Sequence, residues 1–460
     1  AVALAFRLSL LGSIAARNPD GGDPLFYHLQ ANFLVEGHGF SDPFLWLETG
    51  RYEPVAIHPP LFTVWLAVAS ALGFKGFLAH KIMSCIAGAL AVTAIGVLGR
   101  EVGGRGAVGA RVGLVAAGLA TVYPPLWSID GQLWPEGLFT LTVAVTVWCA
   151  LRAWRTPTPA WAAATGVALA LAALTRGEAI IMAAVLVAPM LLLRDRQHRR
   201  NVAHLAVAGL ACAVVLAPWT VRNTMRFEEF VPLSTNSDEV LVYANNPYAY
   251  GTEDGGRFLG FWFYPWQDQL REQFGGEPPG DASQRAKFWG DQGRTYARDH
   301  ADRLPVVLAA RLGRAWNLYA PFQNAAFDKI DGKSERVSVA GVWAWWAALA
   351  LSVPGLVLLR RRGVTVLPFV GLAATVTVSS LYAYGGNRFR TPLDVAVLVL
   401  AAVALEAALR RKPQPLKTPP PTIVEGDTPL DPTPSAPDKV RRGFPTVEQP
   451  PAVAGPVNHR

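Results

Sequence analysis

The amino-acid sequence predicts an all-α polytopic membrane protein, and three observations carry that prediction. Of 460 residues, 51% are hydrophobic and only 17% are charged, against about 25% charged in an ordinary soluble domain. Apolar runs of 15–22 residues recur along the chain, near the ~20 residues that a helix needs to cross hydrocarbon. Many of these runs are apolar all round, where a soluble helix would keep a polar face. A signal peptide would account for the first run but not for the later ones. The net charge of +8 needs no nucleic-acid partner, because its basic residues gather in short joints as the positive-inside rule expects.

The elements follow in order. Ten spans are expected, near 1–16, 78–98, 112–127, 137–151, 160–175, 178–193, 203–220, 338–359, 364–383 and 393–409. No Met stands at position 1, which leaves room for a trimmed first segment. The basic joints 100–111, 152–155, 194–200, 360–362 and 410–412 are placed in the cytoplasm. By alternation the joints 128–136, 175–178, 221–337 and 384–392 fall outside. The 17–57 loop suits the outer side too, with six acids against two arginines.

Two further apolar runs break the alternation if they cross. PLFTVWLAVASALGF (60–74) would put the basic 100–111 joint outside, so it is read as a helix lodged at the outer surface. LPVVLAARLGRAWNLYAPF (304–322) carries Arg311 and Arg314 one turn apart, which suits an interfacial helix. Within the 221–337 loop, 235–251 reads as a short strand and turn, so a small mixed outer region is expected. DASQRAKFWGDQGRTYARDHADRL (281–304) reads as a polar helix capped by Asp281. FLGFWFYPW packs six aromatics into nine residues, and it reads as an interfacial belt before a sugar platform.

The chain thus divides into an N-terminal transmembrane core (1–220), an extracytoplasmic loop region (221–337), C-terminal transmembrane helices (338–410) and a Pro-rich, disordered cytoplasmic tail (411–460). Cys85, Cys149 and Cys212 all lie inside apolar runs and read as packing residues.

Polar groups gather at the outer rim. Asp23, Tyr27 and His28 stand in the first outer loop, and His58 opens HPPL. Asp130 and Glu136 flank the second loop, and Arg176 and Glu178 occupy a tight hairpin. Arg222 follows APW, Asn245 lies in the long loop, and Arg388 and Arg390 stand in the last. Ionisable groups near hydrocarbon cost about 2.5–3.5 kcal/mol each, so such a set points to a polar cavity. Any one arginine alone reads as a snorkelling interfacial residue. Guanidinium forks match phosphate, and a lone carboxylate can deprotonate a hydroxyl. Together they suggest transfer from a phosphate leaving group, which the membrane setting places on a lipid. A lipid flippase also needs arginines and stays open at this stage.

The ordered series GDPLFYHLQANFLVEGHGF, HPPLFTVWLA, YPPLWSIDGQLWPEGLF, LALAALTRGEAIIM, APWTVRNTMRFEEFVPLSTN and YGGNRFRTP spans roughly residues 1–410. It resembles the GT-C glycosyltransferases that use polyprenyl-phosphate sugars, in particular bacterial relatives of the protein O-mannosyltransferases and the aminoarabinose transferase. The resemblance implies a GT-C-like helix bundle in the plasma membrane with its active site on the extracytoplasmic face. It also implies that Asp23 is the general base and Glu136 the acid of the second outer loop, with Asp130 as the fallback. HPPL matches the O-mannosyltransferase stretch and implies that His58 shapes the site. Arg176 with Arg388 or Arg390 would hold the lipid phosphate. The O-mannosyltransferases carry Asp-Glu where this chain has Asp23-Pro24, which leaves a role for a second adjacent acid unfilled. Asp23 also reads as a helix N-cap, just before a proline.

The expected reaction is transfer of a sugar from a polyprenyl-phosphate donor to an extracytoplasmic acceptor hydroxyl, with inversion. Tyr27, His28, His58, Asp130, Glu178, Arg222 and Asn245 are the further substrate-binding candidates. A divalent cation, Mg or Mn, could bridge Asp23, Glu136 and the phosphate, since hard cations take oxygen ligands. The sequence carries no metal motif for it. Mannose, arabinose and aminoarabinose all fit, and glycan, lipid or protein acceptors stay open. A lipid-linked sugar flippase and a structural scaffold are the rival readings.

Overall fold

The chain begins with two short helices, α1 (Val2–Ser9) and α2 (Gly22–Val35), in a computed structural model that describes residues 1–12, 19 and 21–410. The expected disordered tail lies outside the described residues, as does part of the expected first span. Helices α3 (Pro43–Thr49) and α4 (Leu61–Ala71) follow. Phe62 and Leu66 of α4 bury themselves with Phe26, Tyr27 and Ala31 of α2. At 1.5 Å per residue α4 is about 16 Å long, roughly half the hydrocarbon thickness.

Helices α5 (Phe77–Gly103) and α6 (Ala107–Val122) form an antiparallel pair held by small residues. A Cβ on Gly99 would lie 2.9 Å from Ala116 Cβ, and one on Gly113 would lie 2.7 Å from the Gly96 carbonyl. Glycines at such spacing let backbones approach, as membrane helices do when no hydrophobic drive separates them from lipid. After α6 the chain bends by 56° into α7 (Pro124–Asp130). Tyr123, before Pro124, is extended at φ −72° and ψ 111°, the conformation a following proline enforces.

Helices α8 (Glu136–Arg155) and α9 (Pro159–Thr175) pack on each other, and α8 also packs on α5. After α9 the helix breaks at Arg176 into a 3-10 turn (Gly177–Ile180), a π-helical turn (Ala183–Val187) and α10 (Ala188–Leu192). Helix α11 (His198–Thr224) lies against α9. A Cβ on Gly166 would collide with the Ala208 backbone there.

The long loop region is helical. It comprises α12 (Asn236–Ala244), α13 (Pro265–Phe274), α14 (Ala282–Asp299), α15 (Leu304–Ala315) and α16 (Pro321–Phe327). The strand expected over 235–251 is therefore a helix, and no named strand occurs among the described residues. The β-branched residues of DEVLVYA suggested a strand. Acidic Asp238 and Glu239 in the first turn favour a helix, and Val242 packs with Leu270 and Trp289. Asp281 caps helix α14, as the sequence predicts, and Gln284 completes a capping box with it. Helix α15 carries Arg311 and Arg314, from the run expected to lie at the interface. Both are buried and donate to backbone carbonyls, Arg311 to Ala244 at the end of α12 at 2.7 Å and Arg314 to Leu259 at 2.6 Å.

Helices α17 (Glu335–Arg361), α18 (Leu367–Tyr382) and α19 (Thr391–Leu409) complete the bundle, and α19 is its most enclosed member. Among the described residues five helices are long and apolar enough to cross a membrane, or six with the bent α6–α7 pair. Of the other expected spans, 160–175, 178–193 and 364–383 are apolar helices of 16–17 residues, only about 24–26 Å long.

Candidate functional site

Four breaks in helical structure converge on one cluster of charged side chains. Asp23 lies in the first turn of α2, one residue after Gly22, whose φ of +63° starts the helix. Gly21 is the N-cap and Asp23 makes no capping bond, so the capping alternative is set aside. Its carboxylate turns instead toward His58, whose Nε2 lies 3.4 Å away, and toward Arg388, whose Nη2 is also at 3.4 Å. Glu136 opens α8 just after Leu133, a buried non-glycine residue held at φ +61°. Such left-handed strain is tolerated where surrounding structure enforces it. Here it turns both Trp134 and Glu136 inward.

Arg176 sits at the extended break after α9. Its Nη1 donates to Glu136 at 2.8 Å and its Nε to Glu178 at 2.6 Å. Arg388 lies in the 3-10 turn Asn387–Arg390 that leads into α19. It donates from Nε to Glu136 at 3.0 Å and from Nη1 to Asp331 at 3.2 Å. Its guanidinium carbon lies over the Trp134 ring, 3.7 Å from the centroid, a cation–π contact. His58 stacks on Tyr27 with centroids 4.8 Å apart.

Electrostatics follow from this packing. Burial alone would raise the Asp23 carboxyl. His58, Arg388 and Arg176 outweigh it and hold the group well below the usual carboxylate range. Burial and the Asp23 charge push the Tyr27 hydroxyl well above its ordinary value. Burial raises Asp331 despite the offsetting Arg388 charge, and it pushes Tyr384 up to about 12. Four carboxylates thus face two guanidiniums. An incoming anion must win an arginine from an acid.

The structure brings together Asp23, Tyr27, His58, Glu136, Arg176, Glu178 and Arg388. It takes the other candidates elsewhere. His28 stacks on Phe77 and places Nδ1 2.9 Å from His80 Nδ1. Asp130 pairs with Arg7 at 2.5 Å, in a slot left open by Gly88 and Gly137. Arg222 donates to the carbonyls of Val55 and Phe40. Asn245 accepts from Arg311 at 2.9 Å. Arg390 pairs with Asp394 at 3.1 Å and stacks over Trp345. Sequence reasoning missed Trp134, Asp331 and Tyr384. Trp134 stood in the quoted LWPEG stretch, whereas Asp331 lies in a turn with no pattern to mark it.

The fit for a divalent ion between Asp23 and Glu136 is poor. Arg388 donates to both carboxylates, and among the described residues no group of three or more His, Cys, Asp or Glu is placed to hold a metal.

A family described as dolichyl-phosphate-mannose-protein mannosyltransferase matches residues 57–221, the segment that carries His58, Glu136, Arg176 and Glu178. No curated protein matches the chain significantly. Among solved structures, the chain is similar to the apo oligosaccharyltransferase of Archaeoglobus fulgidus. Identity is 16%, with 88% of this chain and 50% of that chain covered and a TM-score of 0.49. This chain therefore spans about half the length of that protein. It is also similar to ArnT from Cupriavidus metallidurans bound to undecaprenyl phosphate, at 19% identity, 88% and 77% coverage and a TM-score of 0.41. The described residues fold as a polytopic helix bundle, and residues 57–221 are similar to the mannosyltransferase family.

Proposed function

We propose that this protein transfers a sugar from a polyprenyl-phosphate donor to an acceptor hydroxyl on the extracytoplasmic side of the plasma membrane, with inversion. One observation carries the reading: Arg388 touches both Asp23 and Glu136, with Arg176 on the same Glu136 oxygen. A phosphate clamp and a general base therefore share one guanidinium. The match of residues 57–221 to the mannosyltransferase family supports the same chemistry.

In the reaction, the acceptor oxygen attacks the anomeric carbon from the face opposite the phosphate. The bond from that carbon to the phosphate oxygen breaks, and its electron pair stays on the phosphate. Arg176 and Arg388 stabilise the charge that grows there. Asp23 takes the acceptor's proton. While Arg388 is bound to it, Asp23 is a weak base. A phosphate that draws Arg388 away removes one of the charges holding the carboxyl down, so Asp23 gains basicity only when the donor is seated. His58 stays beside the carboxylate and orients it.

The test is incubation of the purified protein with a panel of polyprenyl-phosphate sugars and acceptors, followed by mass spectrometry. Asp23→Asn should abolish transfer while protein levels and binding of the lipid persist. Normal turnover in that variant removes Asp23 from the mechanism. Movement of intact donor across a bilayer, with no polyprenyl phosphate released, supports a flippase instead.

A further inference from the structure

Arg388 stands between two anchored points of the chain. Upstream, Gly385 donates its N–H to the Gly260 carbonyl at 2.9 Å. It also packs closely on α15, where a Cβ added to Gly385 would lie 2.3 Å from the Arg311 carbonyl oxygen. Downstream, Arg390 closes the Asn387–Arg390 turn and α19 begins. A single 3-10 turn has poor hydrogen-bond geometry of its own. Its shape therefore depends on what holds its two ends.

The downstream end is held by a buried polar set. Arg390 Nε donates to Asp394 Oδ1, one turn further along α19, at 3.1 Å. Tyr123, at the bend between α6 and α7, donates its hydroxyl to the same oxygen at 3.0 Å. The Arg390 guanidinium carbon lies over the Trp345 ring of α17, 4.1 Å from the centroid. That indole is fixed in turn, since its N–H donates to the Trp316 carbonyl at 2.9 Å. Arg390, Asp394, Tyr123 and Trp345 are each more than nine-tenths buried. With three residues per 3-10 turn, side chains two apart point in different directions. Arg390 thus turns into the bundle while Arg388 reaches Glu136, Asp331 and Asp23.

A buried ion pair is a weak source of stability, because apolar residues of similar volume often serve as well or better. Its better-attested use is to select one arrangement of the chain. We propose that Arg390, Asp394 and Tyr123 are positioning residues that fix the Asn387–Arg390 turn, so that Arg388 presents its fork to the phosphate of a polyprenyl lipid. The inference rests on the transferase reading for the identity of that anion. It separates the two arginines of NRFR: Arg388 touches the phosphate, and Arg390 acts on it through Arg388. A turn released from its pin would have to be ordered again at binding, and that cost appears as lost affinity.

The test titrates the full-length purified protein with polyprenyl phosphate and reads Kd, with thermal melting as the control for folding. Tyr123→Phe, Arg390→Met and Asp394→Leu are combined, since an apolar set of similar size can keep the core packed. The triple variant should melt near the wild type and bind the lipid about tenfold more weakly. In an Arg388→Lys background the same three changes should move Kd by less than about twofold, because their effect runs through Arg388. A merely structural role would not depend on Arg388 in this way. An unchanged Kd in the folded triple variant, or an equal loss in both backgrounds, overturns the inference. If the triple variant loses its fold, Tyr123→Phe alone decides the matter. It keeps the ring and removes one bond to Asp394, and it should weaken binding about threefold with Arg388 present and leave Kd unchanged in Arg388→Lys. Equal effects of Tyr123→Phe in the two backgrounds overturn the inference as well. A wild type that does not bind polyprenyl phosphate refutes the transferase reading itself, and the inference falls with it.

Discussion

Replacing Arg388 by lysine keeps the charge and removes the fork. The guanidinium reaches Asp23, Glu136 and Asp331 from three different nitrogens while lying over the Trp134 ring. A lysine ammonium is a compact point charge that cannot reproduce this planar fork. At the lower bound, two of three charge-assisted bonds are lost at about 1.5 kcal/mol each. The lost stacking on Trp134 adds about 0.5–1 kcal/mol. If a donor phosphate takes over the same donors, the loss in the transition state is about 3–4 kcal/mol, or roughly 10²–10³-fold in kcat/KM. The assay is release of polyprenyl phosphate from a glycosylated donor by Arg388→Lys and wild type, with thermal melting as the control for folding. A folded Arg388→Lys enzyme within about fivefold of wild type would show that the fork geometry is unimportant, and the clamp argument would fail.

Other consequences are as direct. Asp331→Asn removes the acid that burial already pushes toward protonation and that competes for Arg388. Binding of polyprenyl phosphate should tighten several-fold, and isothermal titration showing weaker binding would contradict the charge tally. Because the Asp23 carboxyl is depressed in the folded protein, its stabilisation is complete above the unfolded value of about 4 and is lost only as pH falls through the lower folded value. Melting temperatures of wild type and Asp23→Asn should therefore keep a constant offset from about pH 8 to about pH 5 and converge only in stronger acid. Convergence near neutrality would mean that Asp23 is not held by His58 and the arginines. Arg7→Ala leaves Asp130 buried without its partner, which should cost about 3–5 kcal/mol of stability. Calorimetry should show that loss, and an unchanged melting temperature would remove α1 as an anchor of the fold.

Much of this site was legible because charge stands out in an apolar chain. Asp23, Glu136, Arg176 and Arg388 each sit where a helix starts or breaks, and those breaks were visible as short polar joints between apolar runs. Which rim residues face the site was far less legible. A polar residue near a membrane surface reads alike whether it lines a cavity or pairs with a buried partner. The partners of Asp130, His28 and Asn245 are Arg7, His80 and Arg311, all distant in sequence. The fold showed the same division. The long apolar helices followed from composition, but α12 read as a strand because its β-branched residues masked the acidic first turn, and packing against α13 and α14 adds to the helix from outside the segment. Asp331 was invisible for a related reason, since only the folded chain sets that irregular turn against Arg388.

In the proposed reaction, Asp23 and the paired arginines turn a lipid-bound sugar into a glycosylated product by a single displacement. The most direct measurement follows the anomeric configuration of the product by NMR, with a donor of known configuration and purified wild-type protein. Stoichiometric release of polyprenyl phosphate and a product of inverted configuration are expected, both absent from Asp23→Asn. Retained configuration, or full turnover by Asp23→Asn, would contradict it.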